Sequence, residues 1–163
     1  MNYIYIGEVV NTHGIKGEIR IISNFQYKNK VFIKNMNLYL GNRHQKMTIN
    51  SYRKHKNFDM VTLEGINDIY DAIAFKGDKV FIDRDCIEID GYFDEDLIGI
   101  DVIADDKIIG KVEKIIDTLA HRIIVISGKK NYMVPYVEEY IKNIDLNNKK
   151  ITINVIKGLL DEN

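Results

Sequence analysis

Along most of this chain, hydrophobic and polar residues alternate in short runs, each bounded by Gly, Asn, Asp or Lys. Alternation with a period of two sends successive side chains to opposite faces of a strand, so such runs predict half-buried β-strands. In the first half they fall at 3–10, 18–22, 36–41, 45–52, 58–64 and 79–83. In the second they fall at 97–104, 110–117, 122–127, 132–134, 141–145 and 149–156. Pro135, the only proline, is expected at a strand end, where its missing donor does no harm. The first half predicts one helix, with Asn67 and Asp68 as caps, Ile69, Ala72, Ile73, Phe75 and Lys76 at helical spacing, and Gly77 as its stop. Residues 25–35 read as a Lys-containing loop. The acidic stretch RDCIEIDGYFDE reads as a linker. The prediction is a mainly β protein with domains at 1–84 and 96–163 joined by a linker at 85–95. The first domain reads as a barrel and the second as a sandwich or barrel.

The stretch IGEVVNTHGIKGEIRII places two apolar runs around a turn-rich centre holding Asn11, His13, Gly14 and Gly17. Glycine suits such a connection because it tolerates positive φ. Lys16 lies in the turn, with His13 before it and Arg20 after it. A rigid turn that presents cations is a handle for phosphate. The competing reading is a hairpin with ordinary solvated charges. Arg53-Lys54-His55-Lys56-Asn57, between two alternating runs, reads as a basic hairpin tip and a second candidate phosphate contact, through Arg53, Lys54 and Lys56.

Charge sharpens this picture. Residues 1–58 carry ten Lys and Arg against Glu8 and Glu18, a net of +8, inside a chain of 163 residues whose formal net charge is −1. Residues 59–106 carry fifteen acids against three basic residues, a net of −12. A basic segment in a near-neutral protein fits a nucleic-acid footprint, unless the acidic segment folds against it and cancels its field. No apolar run is long enough for a membrane helix. The N-terminus lacks the basic region and cleavage site of an export signal, and Cys86 has no partner for a disulfide, so a cytoplasmic protein is expected.

Catalytic chemistry finds little support. His13, His44, His55 and His121 are scattered and show no metal-ligand spacing. Asp94-Glu95-Asp96 lacks the alternating ligands of a calcium loop. Gly14-Ile15-Lys16-Gly17 has the form of the KH-domain clamp but lies between strands rather than helices. No catalytic residue, metal or cofactor is expected. Tyr92 and Phe93, adjacent in an acidic surround with Asp96 and Leu97 beside them, are candidate anchors for a basic protein partner. The competing role for both rings is to plug a gap between the two domains.

The pattern G-x-V-x-x-x-H-G-I-K-G-E-x-R, spelled by Gly7, Val9, His13, Gly14, Ile15, Lys16, Gly17, Glu18 and Arg20, resembles the opening of the RimM family of ribosome maturation factors. Gly65-Ile66, Ala72 and Lys76-Gly77 are similar to later points of that family's first domain. The second half resembles a PRC barrel: D-L-I-G-x-x-V from Asp96 to Val102, then Ile109-Gly110-Lys111-Val112, Val134-Pro135-Tyr136-Val137, Ile144-Asp145-Leu146 and a closing Gly158-Leu159-Leu160. The chain departs from the pattern at His121-Arg122, where the family often has aspartate, at Tyr92-Phe93, where it has paired tyrosines, and at Ile73. The resemblance implies two barrels and a non-catalytic factor, monomeric and free of cofactor. It also implies binding to the head of the immature 30S subunit, contact with small-subunit ribosomal protein nineteen, and assistance to 16S rRNA processing. Under it, His13, Gly14, Lys16, Gly17, Arg20, Arg53, Lys54 and Lys56 face the ribosome, and Tyr92, Phe93, Asp96 and Leu97 face the protein partner. The alternatives are an RNA-modifying or RNA-processing enzyme and a PRC-type adaptor.

Overall fold

Ile4 and Ile6, Ile19 and Ile21, Val61 and Leu63, and Val80 and Ile82 lie two apart in sequence and are all buried, because a pleated strand turns alternate residues to one face. Those faces meet inside the first of two units, Met1–Ile89; the second begins at Asp90. The computed structural model describes residues 1–154. The Gly158-Leu159-Leu160 match and the end of the run predicted at 149–156 lie outside the described residues.

In the first unit, β1 (Tyr3–His13), β2 (Glu18–Ile22), β3 (Asn37–Leu40), β4 (Gln45–His55), β5 (Phe58–Leu63) and β6 (Lys79–Asp83) form a closed barrel in the order β1-β2-β5-β4-β3-β6. Every pairing in it is antiparallel. Closure hides the strand edges that would otherwise recruit other chains. A register shift between Val9 and Asn11 lets β1 bend and keep pairing with β2 as far as His13. Asn11 and His13 are therefore strand residues, not part of the turn, which contracts to Gly14–Gly17. The stretch read as a loop holds a one-turn helix, α1 (Lys28–Val31). The predicted helix is shorter than its spacing implied: α2 (Ile69–Ala72) is capped by the Asp68 carboxylate, which accepts from Asp71 N at 2.9 Å, and a 3₁₀ turn over Ile73–Phe75 follows.

The barrel interior holds one carboxylate. Asp59 occupies the same inward phase as Val61 and Leu63 and is fully buried. Its Oδ2 accepts from Lys28 Nζ at 2.8 Å and its Oδ1 from the Tyr52 hydroxyl at 2.7 Å, with Lys54 Nζ at 3.9 Å. A buried carboxylate survives only when it is paired and hydrogen-bonded. The neighbouring Lys28 ammonium, ahead of burial, draws the Lys54 amine down, while burial and Asp59 push the Tyr52 phenol up to about 12.

In the second unit, α3 (Asp94–Leu97) precedes β7 (Asp101–Ala104), β8 (Lys107–Asp117), β9 (Arg122–Ser127), β10 (Asn131–Pro135), β11 (Ile141–Asp145) and β12 (Lys150–Ile153). These strands form a six-stranded sheet in the order β10-β9-β8-β7-β12-β11, with β7 and β12 parallel. Val134 of β10 and Ile144 of β11, from opposite ends of that order, pack on one core with Val102, Val112, Ile124 and Ile151. The sheet therefore curls around its core as a barrel does. Pro135 ends β10, an end strand of the sheet. The strand expected from residue 97 starts only at Asp101, because three acids at the head of 94–97 favour a helical first turn.

Two outcomes follow. Asp59→Ala removes the acceptor of the Lys28 ammonium and the Tyr52 hydroxyl and should cost about 2 kcal/mol in urea denaturation. Tyr52→Phe removes one charge-assisted hydrogen bond and should cost about 1.5 kcal/mol. Because folded Tyr52 keeps a proton that the unfolded chain releases near pH 10, its contribution is complete below that pH. It disappears as the pH rises toward about 12. Tyr52→Phe should therefore flatten that alkaline segment of the stability curve. In a separate experiment, a fragment of residues 90–163 should give a cooperative melt and a dispersed amide spectrum; a collapsed spectrum would mean that it needs the first unit to fold.

Candidate nucleic-acid interface

Two hairpin tips come together at one end of the barrel. β2 and β5 are neighbours, with Ile19 opposite Val61 and Arg20 opposite Met60. Met60 in turn lies opposite Arg53, His55 opposite Phe58, and His13 opposite Glu18. Since Ile19, Ile21 and Val61 point inward, these registers put His13, Glu18, Arg20, Arg53, His55 and Phe58 in the outward phase.

The contacts follow from that placement. Arg53 Nε and Nη2 donate to the two Glu18 carboxylate oxygens at 2.9 and 2.7 Å. That fork, ahead of the opposing effect of burial, holds the Glu18 carboxyl below the usual range. Arg20 Nη2 donates to His13 Nδ1 at 2.7 Å. A guanidinium has only donors, so this contact requires a bare Nδ1 on His13. The Arg20 guanidinium also lies 5.6 Å over the Phe58 ring. Among the described residues, Arg20 Nε is buried without a hydrogen-bond partner. The His13 and His55 ring centroids are 5.7 Å apart, so two histidines that are scattered in sequence meet in space. Burial first, then the charges of Arg53, Lys56, His13 and Arg20, keep His55 below its ordinary range.

The predicted cations thus separate into three groups. Arg20 belongs to the outward cluster, and so does Arg53, already matched by Glu18. Lys54, next to Arg53 in sequence, has the opposite phase and turns to Asp59. Lys16 and Lys56 stand exposed in the two turns, and among the described residues neither is in an ion pair. Sequence reasoning missed the roles of Asp59 and Lys28; the available signal was an aspartate in phase with inward apolar residues.

The Gly14–Gly17 turn is a docked element. Ile69 N donates to Ile15 O at 3.1 Å, tying it to the entrance of α2. Gly17 has φ +94°, and a Cβ there would lie 2.8 Å from the Ile66 carbonyl oxygen, whereas Gly14 has φ +68° and open space.

In the second unit the expected partner surface needs correction. Leu97 is 0% exposed and belongs to the core, and Phe93 is 8% exposed, so neither ring nor chain is offered to a partner. Tyr92 is half-buried and packs against that core. The one-turn helix α3 is the reason: it turns Leu97 inward. Asp96 is half-buried. Arg122, one of the departures from the family pattern, makes a fork with Asp94 and also donates to Asp117 at 2.8 Å. Its side chain lies 6.0 Å over the Tyr136 ring. Among the described residues, no three His, Cys, Asp or Glu side chains converge as a metal site, and no helix is long and apolar enough to cross a membrane.

Comparison with known proteins adds a separate finding. Residues 4–86 match the model of the RimM N-terminal domain, and residues 94–159 match that of the RimM PRC barrel domain. The ribosome maturation factor RimM of Staphylococcus epidermidis is 39% identical over 165 positions, covering 97% of this chain and 99% of that protein. The namesake proteins of Staphylococcus haemolyticus and Staphylococcus aureus are 39% identical with the same coverage. A solved 16S ribosomal RNA processing protein RimM from Pseudomonas aeruginosa is 21% identical, with 95% of this chain and 98% of that chain covered and a TM-score of 0.48.

The two glycines should respond differently to the same change. Gly14→Val meets only the left-handed backbone penalty and should cost about 1–2 kcal/mol. Gly17→Val adds the collision with Ile66 and should cost on the order of 3 kcal/mol or more in denaturant titration. Equal costs would mean that the turn is not held against the entrance of α2.

Proposed function

The chain belongs to the RimM family, and from that premise we propose that it is a cytoplasmic ribosome maturation factor, assisting assembly of the 30S subunit and processing of 16S rRNA. The observation that carries this reading is the match of both halves, in order, to the two domains of the family. The mechanism is binding without bond chemistry, by a monomer that needs no cofactor. Such a factor must hold an immature arrangement more tightly than the mature one, since a ligand with equal affinity for two states shifts neither.

Within this reading, the joined hairpin tips meet rRNA phosphate. Lys16, Lys56 and Arg20 make the contacts, and His13 orients Arg20. Gly14 and Gly17 shape the turn. Arg53 and Lys54 contribute through their carboxylate partners rather than through phosphate. The second unit meets small-subunit ribosomal protein nineteen, with Tyr92 and Asp96 as the residues of the predicted set that retain surface. The acidity of residues 90–106, with seven acids and no Lys or Arg, suits a basic ribosomal protein.

One observation favours the RNA-processing enzyme as a second reading: the 5.7 Å approach of His13 and His55 beside cations, the elements of acid–base chemistry on a phosphodiester. A cleavage product of precursor 16S rRNA that accumulates with the parent chain and not with His13→Asn or His55→Asn would favour that reading over binding alone.

The main test is sedimentation with small-subunit precursors across a salt series. Neutralising Lys16, Arg20 and Lys56 should each lower the slope of log affinity against log salt by about 0.7–0.9. Arg53→Gln and Lys54→Gln should leave it nearly unchanged. A chain that stays at the top of the gradient would overturn the function. A slope unmoved by the first three variants would overturn the phosphate assignment.

A further inference from the structure

The opposite side of the first unit carries a different surface. Tyr39 pairs with Phe81, and Phe81 with Tyr5. Ile4, Leu38, Leu40 and Ile82 fill the interior phase of the same strands, so the aliphatic residues face in and the rings face out. His44, in the turn after β3, stacks on Tyr3 with centroids 4.0 Å apart and planes 5° from parallel. Its edge meets Phe81 at 4.7 Å, and Phe81 meets Tyr5 at 6.0 Å. Cross-strand aromatic pairs stabilise a sheet, but that role does not require Tyr5 to remain 50% exposed.

The surroundings of the rings indicate a ligand. Lys46 lies opposite Tyr39, Lys79 precedes Phe81 by two residues on the same face, and Arg43 sits in the His44 turn. Glu8, opposite Lys79, Asp83, opposite Tyr3, and Asp78, against Gly41 of the His44 turn, are acids on this side. At its Tyr39 end opens a cavity of 280 Å³ whose polar lining includes Lys34, Asn35, Asn37 and Asp83. The Asn37 amide is oriented by the Thr48 hydroxyl, which donates to its oxygen at 2.8 Å. Rings on an open sheet, cations at their margins and amides beside them are what unpaired bases need: faces to stack on, charge for the backbone, and partners for base edges.

We propose that this face of β1, β3 and β6 binds single-stranded RNA by stacking unpaired bases on Tyr5, Phe81 and the His44–Tyr3 pair. The choice of RNA as the ligand rests on the proposed function, but none of the residues belongs to the hairpin-tip cluster. Stacking is tolerant of sequence, so the site reads strandedness before it reads bases.

The chain has no tryptophan, so tyrosine emission of the full-length protein reports the event directly. A titration with an oligouridine of about eight nucleotides should quench that emission, and the same length of RNA duplex should not. Tyr5→Ala should weaken oligouridine binding on the order of tenfold, while Tyr5→Phe, which keeps the ring, retains it. His44→Asn, a substitution that tolerates the positive φ of 51° at this turn, should weaken it as well. Unchanged affinity for Tyr5→Ala and His44→Asn, or equal affinity for the duplex, would overturn the proposal. So would Tyr5→Ala losing precursor subunits while keeping oligouridine, which would assign the face to a protein. A parent chain that binds oligouridine but no precursor subunit would refute the proposed function and leave this site standing.

Discussion

Burying the Asp59 carboxylate constrains the first unit more than any other single interaction. A charge in that position is tolerable only with donors on both oxygens, and the chain supplies them from two elements: Lys28 on α1, and Tyr52 and Lys54 on β4. The network therefore fixes a helix of one turn that has no side-chain cap of its own and that would be marginal in isolation. The single negative charge of Asp59 also cancels one unit of the +8 segment, chiefly that of Lys28. Net charge measured along a sequence overstates the field outside the fold wherever a buried acid counted in another segment cancels a cation of this one.

Strand alternation makes the next division. Arg53 and Lys54 are adjacent, yet the pleat sends one outward to Glu18 and the other inward to Asp59. A basic run on a strand is thus two half-runs on two surfaces, whereas in a turn the same run would act together. At the two hairpin tips, Lys16 and Lys56, in the turns, escape this sorting. Arg20 is held between His13 and the Phe58 ring, so its guanidinium is already oriented, and little side-chain entropy remains to be lost when an anion arrives.

The strands were legible because both units keep aliphatic residues at period two, and Asp68 was legible as a cap because its chemistry is local. What could not be read depends on neighbours distant in sequence. The bend between Val9 and Asn11 carries β1 to His13, and it is defined only by the pairing of β1 with β2. The meeting of His13 with His55 depends on β2 pairing with β5. Nor does sequence reveal that an acidic run becomes α3 and buries Leu97. A linker and a first helical turn share the same polar composition, and only the apolar core beneath distinguishes them.

Arg122 shows how a departure from a family pattern can be absorbed. A cation at the head of β9 would disturb the acidic surround of α3, but its fork on Asp94 and its bond to Asp117 neutralise it where it stands. Both partners precede it in sequence, one on α3 and the other opposite it at the end of β8, so the arginine ties α3 to the β8–β9 pair. The acids left to attract a basic partner are then fewer than the sequence count, just as the cations of the first unit are. Each unit on its own offers a modest surface. In the proposed function, two modest surfaces on one chain suffice, because once one has engaged, the other binds at the effective concentration set by the connecting chain.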